Sequence, residues 1–347
     1  MLKLAKQISF WLVITLLVFA AFMVTSFIQF QQQKISTVYG EPLRFVIQPG
    51  SSIKSIANLL VDAEIIRDAW MFILLVKFEG VERQIKAGEY EIKNDQTVAQ
   101  LLQAFRNGNS IQYQFTIIEG WTFKQLLQAL KGNDVLLQTL QQKTPKNIMA
   151  MLGHSQQHPE GQFFPDTYHF PKGTSDLDFL GRAYRQMQAH LQQEWLQRDS
   201  NLPLQTPEEA LILASIIEKE TGRAFERPLI AAAFIRRLRK NMRLQTDPTV
   251  IYGLGDDYKG DIRFKHLKQD TPYNTYIHRG LTPTPIAMPG LDSIKAALHP
   301  ADSQAIFFVS KGDGTHYFSE TLEQHNKAVI KYQLKGRKPK RKASTGE

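Results

Sequence analysis

The sequence predicts an α+β protein tied to a membrane by one amino-terminal helix. Three observations carry this prediction. Short β-like runs and amphipathic helices follow one another without the regular alternation that a parallel βαβ sheet requires. One long uncharged stretch precedes all of them. Near the other end, Ile306-Phe307-Phe308-Val309 and His316-Tyr317-Phe318 flank a turn at Asp313-Gly314, the pattern of a β-hairpin. A chain of 347 residues has room for about two domains with appendages. With 43% hydrophobic and 22% charged residues it is neither disordered nor collagen-like.

The first element is the uncharged run at 8–28. As a helix it spans roughly 32 Å, enough for a hydrocarbon core of about 30 Å. Lys3 and Lys6 precede it, which places residues 1–7 in the cytoplasm. Ala20-Ala21 offers small residues for signal cleavage, but the run continues through Met23 and Val24, longer than a signal core. The expectation is an uncleaved single-pass anchor in the inner (cytoplasmic) membrane, with the rest of the chain periplasmic or otherwise extracytoplasmic. Residues 29–40, with Gln31-Gln32-Gln33, read as a polar stalk. Fully extended, it reaches at most about 40 Å.

A small module is expected over 41–110. Phe45-Val46-Ile47 is strand-like, Pro49-Gly50 a turn, and Ser51 or Ser52 the N-cap of a helix carrying Ile53, Ile56, Ala57, Leu59 and Leu60. Ala87-Gly88-Glu89-Tyr90-Glu91-Ile92 reads as a returning strand, and Val98, Leu101 and Leu102 mark the next helix. The pattern partly recurs downstream, where Phe115-Thr116-Ile117-Ile118, the turn Glu119-Gly120 and a helix from Thr122 with Phe123, Leu126 and Leu127 follow in order. This opens a second βα module and helical connection over 111–205. Within it, Pro159 to Tyr168 has loop character, and a helix is expected over 177–198.

The charge balance is 42 Lys+Arg against 33 Asp+Glu, a net of +9. Six of these charges stand together as Lys335, Arg337, Lys338, Lys340, Arg341 and Lys342 in a tail over 335–347, so the body is nearly neutral. Such a run is either a solvated end or a contact for anionic lipid or wall polymer. The absence of cysteine excludes disulfides, Cys-ligated zinc, thiol nucleophiles and a lipid anchor on cysteine.

The segment 206–334 is the most sharply punctuated, and it holds the catalytic candidate. Thr206-Pro207-Glu208-Glu209 combines an N-cap, proline at the first helical position and a capping-box Glu. The helix is expected to run to Thr221 and end at Gly222. From Ala210 to Ile217 every residue but Ser215 is apolar, so this helix is buried. Glu218 lies one turn past Ala214 and two past Leu211, on the buried line, while Glu220 points roughly the other way. Among apolar neighbours, desolvation favours the protonated acid that general acid catalysis needs. The plainer alternative is a helix-end carboxylate paired with Arg223 or Arg227, or simply wet.

Several uncommon strings resemble the endolytic murein transglycosylase, or YceG-like, family. They are Ala214-Ser215-Ile216-Ile217-Glu218-Lys219-Glu220-Thr221 and Arg243-Leu244-Gln245-Thr246-Asp247-Pro248-Thr249-Val250-Ile251-Tyr252-Gly253. Tyr273-Asn274-Thr275-Tyr276, Pro285-Ile286, Pro289-Gly290 and Ala296-Ala297-Leu298-His299-Pro300 follow in the same order. Phe164-Pro165-Asp166-Thr167-Tyr168 and the hairpin also fit, so the resemblance covers about 40 to 334. It implies that the first module is LysM-like. It also implies a lyase on peptidoglycan glycan strands, with Glu218 as the acid and base. Glu218 would protonate the oxygen between N-acetylmuramic acid and N-acetylglucosamine, then take the proton of the muramic C6 hydroxyl as that oxygen closes on C1. Membrane-bound peptidoglycan synthases are the partners the resemblance implies.

Gln245, Asp247 and Asn274 are candidates to bind sugar hydroxyls and N-acetyl groups. Asp247 is equally placed to be an N-cap before Pro248. Tyr273 and Tyr276 either stack on sugar rings or pack. Thr282 stands where the family commonly has proline, and Met288 where it has a small or polar residue, so the local cleft departs from the pattern.

Other signals read as structure. Ser51-Ser52-Ile53-Lys54 lacks the later motifs of penicillin-interacting enzymes, and His154 and His158 lack the Glu of a zinc helix. Gly253-Leu254-Gly255 lacks the third glycine of a dinucleotide loop. No cofactor, metal or nucleic acid is expected. Two rivals remain: a muramidase-type hydrolase pairing Glu218 with Glu220 or Asp247, and a non-catalytic wall-binding scaffold.

Overall fold

The computed structural model describes residues 2–36 and 41–334. The basic tail and residues 37–40 of the expected stalk lie outside the described residues. The chain divides into two compact units. One comprises Met1–Gln114, Val135–Leu137 and His169–Thr174; the other comprises Phe115–Asp134, Gln138–Tyr168 and the chain from Ser175 onward. The second unit thus joins most of the segment before 205 to the one after it, because the helices on either side of that point share one core.

The first unit starts with helix α1 (Leu2–Gln32). Its 27 residues from Lys6 to Gln32 are long and apolar enough to cross a membrane, and none of the apolar window is buried inside the protein. Its hydroxyls turn back on the helix: Thr15 donates to Trp11 O (2.8 Å) and Thr25 to Ala21 O (2.9 Å). Such back-bonding satisfies both threonine hydroxyls within the helix.

After α1 the chain does not become a free stalk. Phe30 and Ile35 are buried in the first core, and Ile35 exchanges backbone bonds with Gln96 O (2.8 Å) and Asp95 N (3.0 Å). Two buried residues in a polar stretch carry no periodicity, so the sequence does not announce the docking.

Strand β1 (Leu43–Ile47) leads to α2 (Ile53–Asp62) and α3 (Ala69–Phe78). Strand β2 (Gly88–Ile92) then pairs antiparallel with β1, Phe45 opposite Tyr90. Ser52 is the cap of α2, accepting from Ser55 N at 3.1 Å. Helix α4 (Val98–Asn107) begins with a capping box of Thr97 and Gln100 and closes at Gly108 with φ +74°. The core beneath the strands holds Leu60, Phe72, Leu75, Leu102 and Phe105.

Strand β3 (Gln112–Thr116) precedes α5 (Phe123–Lys131) and α6 (Pro145–Met151), and pairs with β4 (Thr167–Pro171). β4 emerges from the stretch read as loop, since Pro165 and Pro171 bracket it and mask its strand character. A run of helices follows: α7 (Asp176–Leu196), α8 (Pro207–Glu220), α9 (Arg227–Arg239), α10 (Asp247–Leu254), the short α11 (Phe264–Leu267) and α12 (Leu291–Leu298). Strands β5 (Phe307–Ser310) and β6 (His316–Ser319) pair antiparallel before α13 (Leu322–Tyr332).

Helix α8 is the axis of this unit. All eight residues from Ala210 to Ile217 are buried, and α7, α9, α10 and α12 pack around it. Thr206 accepts from Glu209 N at 3.2 Å and Pro207 takes the first position. The helix ends at Glu220, one residue sooner than expected, because Thr221 is already extended (φ −144°). A helix buried along its length meets polar groups at its end, and Glu218 stands there.

Candidate active site

Glu218 has 6% of its side chain exposed, so its burial follows the sequence pattern, but its neighbours are not the apolar ones expected. Oε1 accepts from Arg227 Nη2 at 3.1 Å. Oε2 accepts from the Gly290 N–H at 3.0 Å and the Ser293 hydroxyl at 2.7 Å. Three donors therefore surround one carboxylate at the buried end of α8. The ion pair with Arg227 is one of the plainer alternatives read from the sequence, and it coexists with a nearly enclosed site.

Arg227, itself 8% exposed, gathers three acids. Its Nη2 also donates to Glu119 Oε2 (3.2 Å), and Nη1 to Asp292 Oδ2 (3.3 Å). Burial raises the Glu119 carboxyl above its usual range; the charge of Glu218 adds to this, and Arg227 opposes it.

Two chain segments hold these groups in place. Gly120 N donates to Met288 O, and Met288 N to Trp121 O, both at 2.8 Å. Ile286 N donates to Ser215 Oγ at 3.0 Å, so the one polar residue in the apolar stretch of α8 fastens the segment that carries Gly290. Gly290 is required by close approach: a Cβ there would fall 1.9 Å from Glu119 Oε1. Met288 is fully buried, and Thr282, 4% exposed, donates to Thr284 O (2.8 Å), so both side chains are internal.

The start of α9, and with it Arg227, is pinned from the hairpin. Glu226, 2% exposed, accepts from the His316 N–H (2.7 Å), bonds His316 Nδ1 (2.8 Å) and accepts from Thr221 Oγ1 (3.2 Å).

Of the other residues singled out from the sequence, three stand together and two are engaged elsewhere. Gln245, Asp247 and Tyr276 collect at Thr246, whose hydroxyl donates to Glu220 at 2.7 Å. Gln245 is exposed with φ +50°, an unusual conformation for a residue other than glycine. Asp247 is the first helical residue of α10 rather than its cap, which is Thr246, and its Oδ1 accepts from the Tyr276 hydroxyl (2.6 Å). Tyr273 lies with Tyr252 and Thr284 instead, edge-on to the first at 4.8 Å between ring centres and 2.9 Å from the hydroxyl of the second. Asn274 corrects the expectation. It is 0% exposed, its Nδ2 donates to the carbonyls of His266, Leu267 and Gln269, and its Oδ1 accepts from Tyr276 N, so it orders the loop and offers a sugar no atom.

Sequence reasoning missed Glu119, Gly290 and Ser293 and saw Arg227 only as an alternative partner. The signal for Glu119-Gly120 was present, but read as a turn. The histidine pair is engaged elsewhere: His154 stacks on Tyr184 and His158 Nδ1 accepts from Glu160 N. Gly253 is a packing glycine inside α10, with room for no Cβ beside Thr271 Oγ1 at 2.8 Å. Ser293 carried no signal, because a serine inside a short helix has no distinguishing pattern.

Glu160 is a further buried acid, bonded by Phe123 N (2.9 Å) and the Tyr252 hydroxyl (3.0 Å). Burial pushes its carboxyl up to about 7, against those bonds.

Comparisons with known proteins give the family. The model of the YceG-like family matches residues 45–331. The chain is 32% identical to the endolytic murein transglycosylase of Bacillus subtilis, over 82% of this chain and 83% of that one. It is 25% identical to the protein of the same name from Streptococcus pneumoniae, over 82% of this chain and 57% of that relative. A crystal structure of a YceG-like protein from Listeria monocytogenes is similar with a TM-score of 0.51 at 32% identity, covering 83% of this chain and 99% of the other. Since the matched span runs from β1 into α13 and a relative is 32% identical over most of both chains, the chain belongs to the YceG-like family.

Proposed function

We propose that this protein is an endolytic lytic transglycosylase that cuts the bond between N-acetylmuramic acid and N-acetylglucosamine inside peptidoglycan strands. The relatives' shared name supports the substrate, and the observation that carries the chemistry is the enclosed Glu218 carboxylate with donors on both oxygens. In the first half, Glu218 bearing a proton gives it to the glycosidic oxygen as the C1–O bond breaks. In the second, Glu218 takes the proton of the C6 hydroxyl while that oxygen bonds to C1. The proton count closes without water, and the product carries a 1,6-anhydro end.

Ser293 suits both halves, since a hydroxyl can donate to the carboxylate and accept from the acid. Arg227 supplies a fixed positive charge beside the negative charge that Glu218 acquires on giving up its proton, as preorganised sites do. Gln245, Asp247, Tyr273 and Tyr276 would line the sugar path. The first module acts as a LysM-like glycan contact, and the second unit works outside the cytoplasm, on the outer side of the inner membrane. Release of nascent strands made by membrane-bound synthases fits that placement.

A second reading has one observation in its favour. Glu119 shares Arg227 with Glu218, so a hydrolase would use Glu119 as its second carboxylate, in place of the Glu220 or Asp247 expected from sequence. Mass spectrometry of fragments released from purified peptidoglycan by the full chain in detergent separates the two. Anhydro-muramic ends support the lyase, and reducing ends support the hydrolase. Glu218→Gln is expected to slow release at least ~10²-fold with folding intact, as loss of a general acid does. Digests free of product from both parent and variant would leave only the scaffold reading.

A further inference from the structure

Helix α3 reads Ala69-Trp70-Met71-Phe72-Ile73-Leu74-Leu75-Val76-Lys77-Phe78, with one charge in ten residues. Met71, Phe72, Leu75 and Val76 enter the first core. The other side is uncovered: Trp70 is 51%, Leu74 40% and Phe78 76% exposed. Their spacing of four residues puts them in one stripe about 12 Å long.

The stripe meets the anchor at one end. The Phe78 ring lies edge-on to Phe27 of α1, 5.4 Å between centres. Phe27 is the last residue but one of the uncharged run at 8–28. Over the last turns of α1, Met23, Ser26, Phe27 and Phe30 are partly or fully covered, whereas Phe22, Val24 and Ile28 stay exposed. These covered positions form one helical face, against which the module packs. The join has no slack, because Phe30 and Ile35 are buried in the same core that α3 caps.

A bilayer that takes up the whole uncharged run must therefore reach the level of Phe27, and the Phe78 ring beside it shares that level. Trp70, at the other end of the stripe, has the amphipathic ring that collects at headgroup depth. Lys77 is exposed beside Phe78, with a stem long enough to carry its charge out of hydrocarbon.

We infer that α3 is a membrane-seated helix, whose Trp70, Leu74 and Phe78 face lipid at the surface where α1 emerges. The seat adds a second, interfacial attachment to the anchor and fixes the orientation of the first module on the bilayer. It rests on the reading that α1 crosses the membrane.

The chain has no cysteine, so single-cysteine variants of the full protein report single positions. Trp70→Cys, Leu74→Cys and Phe78→Cys are each labelled with a small environment-sensitive fluorophore and reconstituted in phosphatidylethanolamine–phosphatidylglycerol vesicles. Val18→Cys, in the middle of α1, and Leu59→Cys, 41% exposed on α2, serve as references for lipid and water. Quenching by lipids brominated on the acyl chain is compared with quenching by aqueous iodide. The expected result is that labels at 78 and 74 are quenched several-fold more by brominated lipid than the label at 59, and are shielded from iodide. Iodide quenching at 78 and 74 equal to that at 59, with lipid quenching retained at 18, overturns the seat and leaves the anchor. Quenching by neither agent shows a protein cover such as a second copy, and also overturns it. Loss of lipid quenching at 18 removes the anchor reading, and the seat falls with it.

Discussion

Glu218, Glu119 and Asp292 place three acids on the single guanidinium of Arg227, so charge at this site is shared among side chains rather than owned by one. The raised Glu119 carboxyl is the visible consequence: burial and the Glu218 charge both resist its ionisation. As pH rises through its folded value, a second negative charge arrives beside Glu218. Glu119→Gln removes that charge at every pH. The variant is expected to retain activity within about tenfold, because it carries no proton in the reaction, whereas losing the general acid costs far more. The limb of its kcat/KM profile that reports carboxyl titration should move to lower pH, since a neighbouring negative charge is gone. A profile identical to the parent's would show that Glu119 does not act on the site electrostatically. Glu218 was legible because one helix writes its own burial in eight consecutive residues. Its partners were not, since Glu119 is 108 positions from Arg227 and Ser293 is 75 from Glu218, and no local pattern spans such distances.

At the scale of elements, the site is the end of α8 closed by two borrowed segments. Helices α7 and α8 were legible to within a few residues, because caps, proline and apolar spacing are local chemistry. α12 was not: its N-cap is Gly290, which supplies no side-chain bond, and Gly290 is fixed by the approach of Glu119 rather than by helix geometry. Ser215 shows how the elements are joined. It accepts from Ile286 N while donating to Ile212 O at 2.7 Å, and both Ser215 and Ile286 are buried. Ser215→Ala strands the Ile286 N–H without a partner, which costs about 1–3 kcal/mol. The expected result is a lower midpoint in urea unfolding of the full chain in detergent. Since the same segment brings the Gly290 N–H to Glu218, kcat should fall while KM changes little. An unaltered midpoint would mean that water replaces the serine and the joint is not structural.

At the scale of the whole molecule, the α+β class follows from the irregular order of strands and helices, but the joining of its second unit is written in no stretch of sequence. Glu160 illustrates this, since its two oxygens tie the start of α5 to α10 through Phe123 N and the Tyr252 hydroxyl, 37 and 92 positions away. The turn-rich segment that carries it reads as a loop, and its burial depends on parts of the chain that meet only after folding. That burial makes the fold respond to pH. The folded value of about 7 stands above the ordinary 4.5, so the protonated form favours the fold. The stabilisation is complete below about pH 4.5, declines as pH rises towards 7, and is absent above. Glu208 and Glu220 are also raised by burial and tilt the curve in the same direction, so the parent alone cannot assign the slope. Glu160→Gln isolates it, because an amide keeps an acceptor for Phe123 N and holds no titrating proton. Relative to the parent, the variant should gain stability between pH 4.5 and 8 by on the order of 3 kcal/mol. Unfolding curves of both proteins in detergent across that range decide it. Parallel loss of stability in the two would mean that the Glu160 carboxyl ionises in the fold without penalty, and that the pH response of the fold comes from the other buried acids.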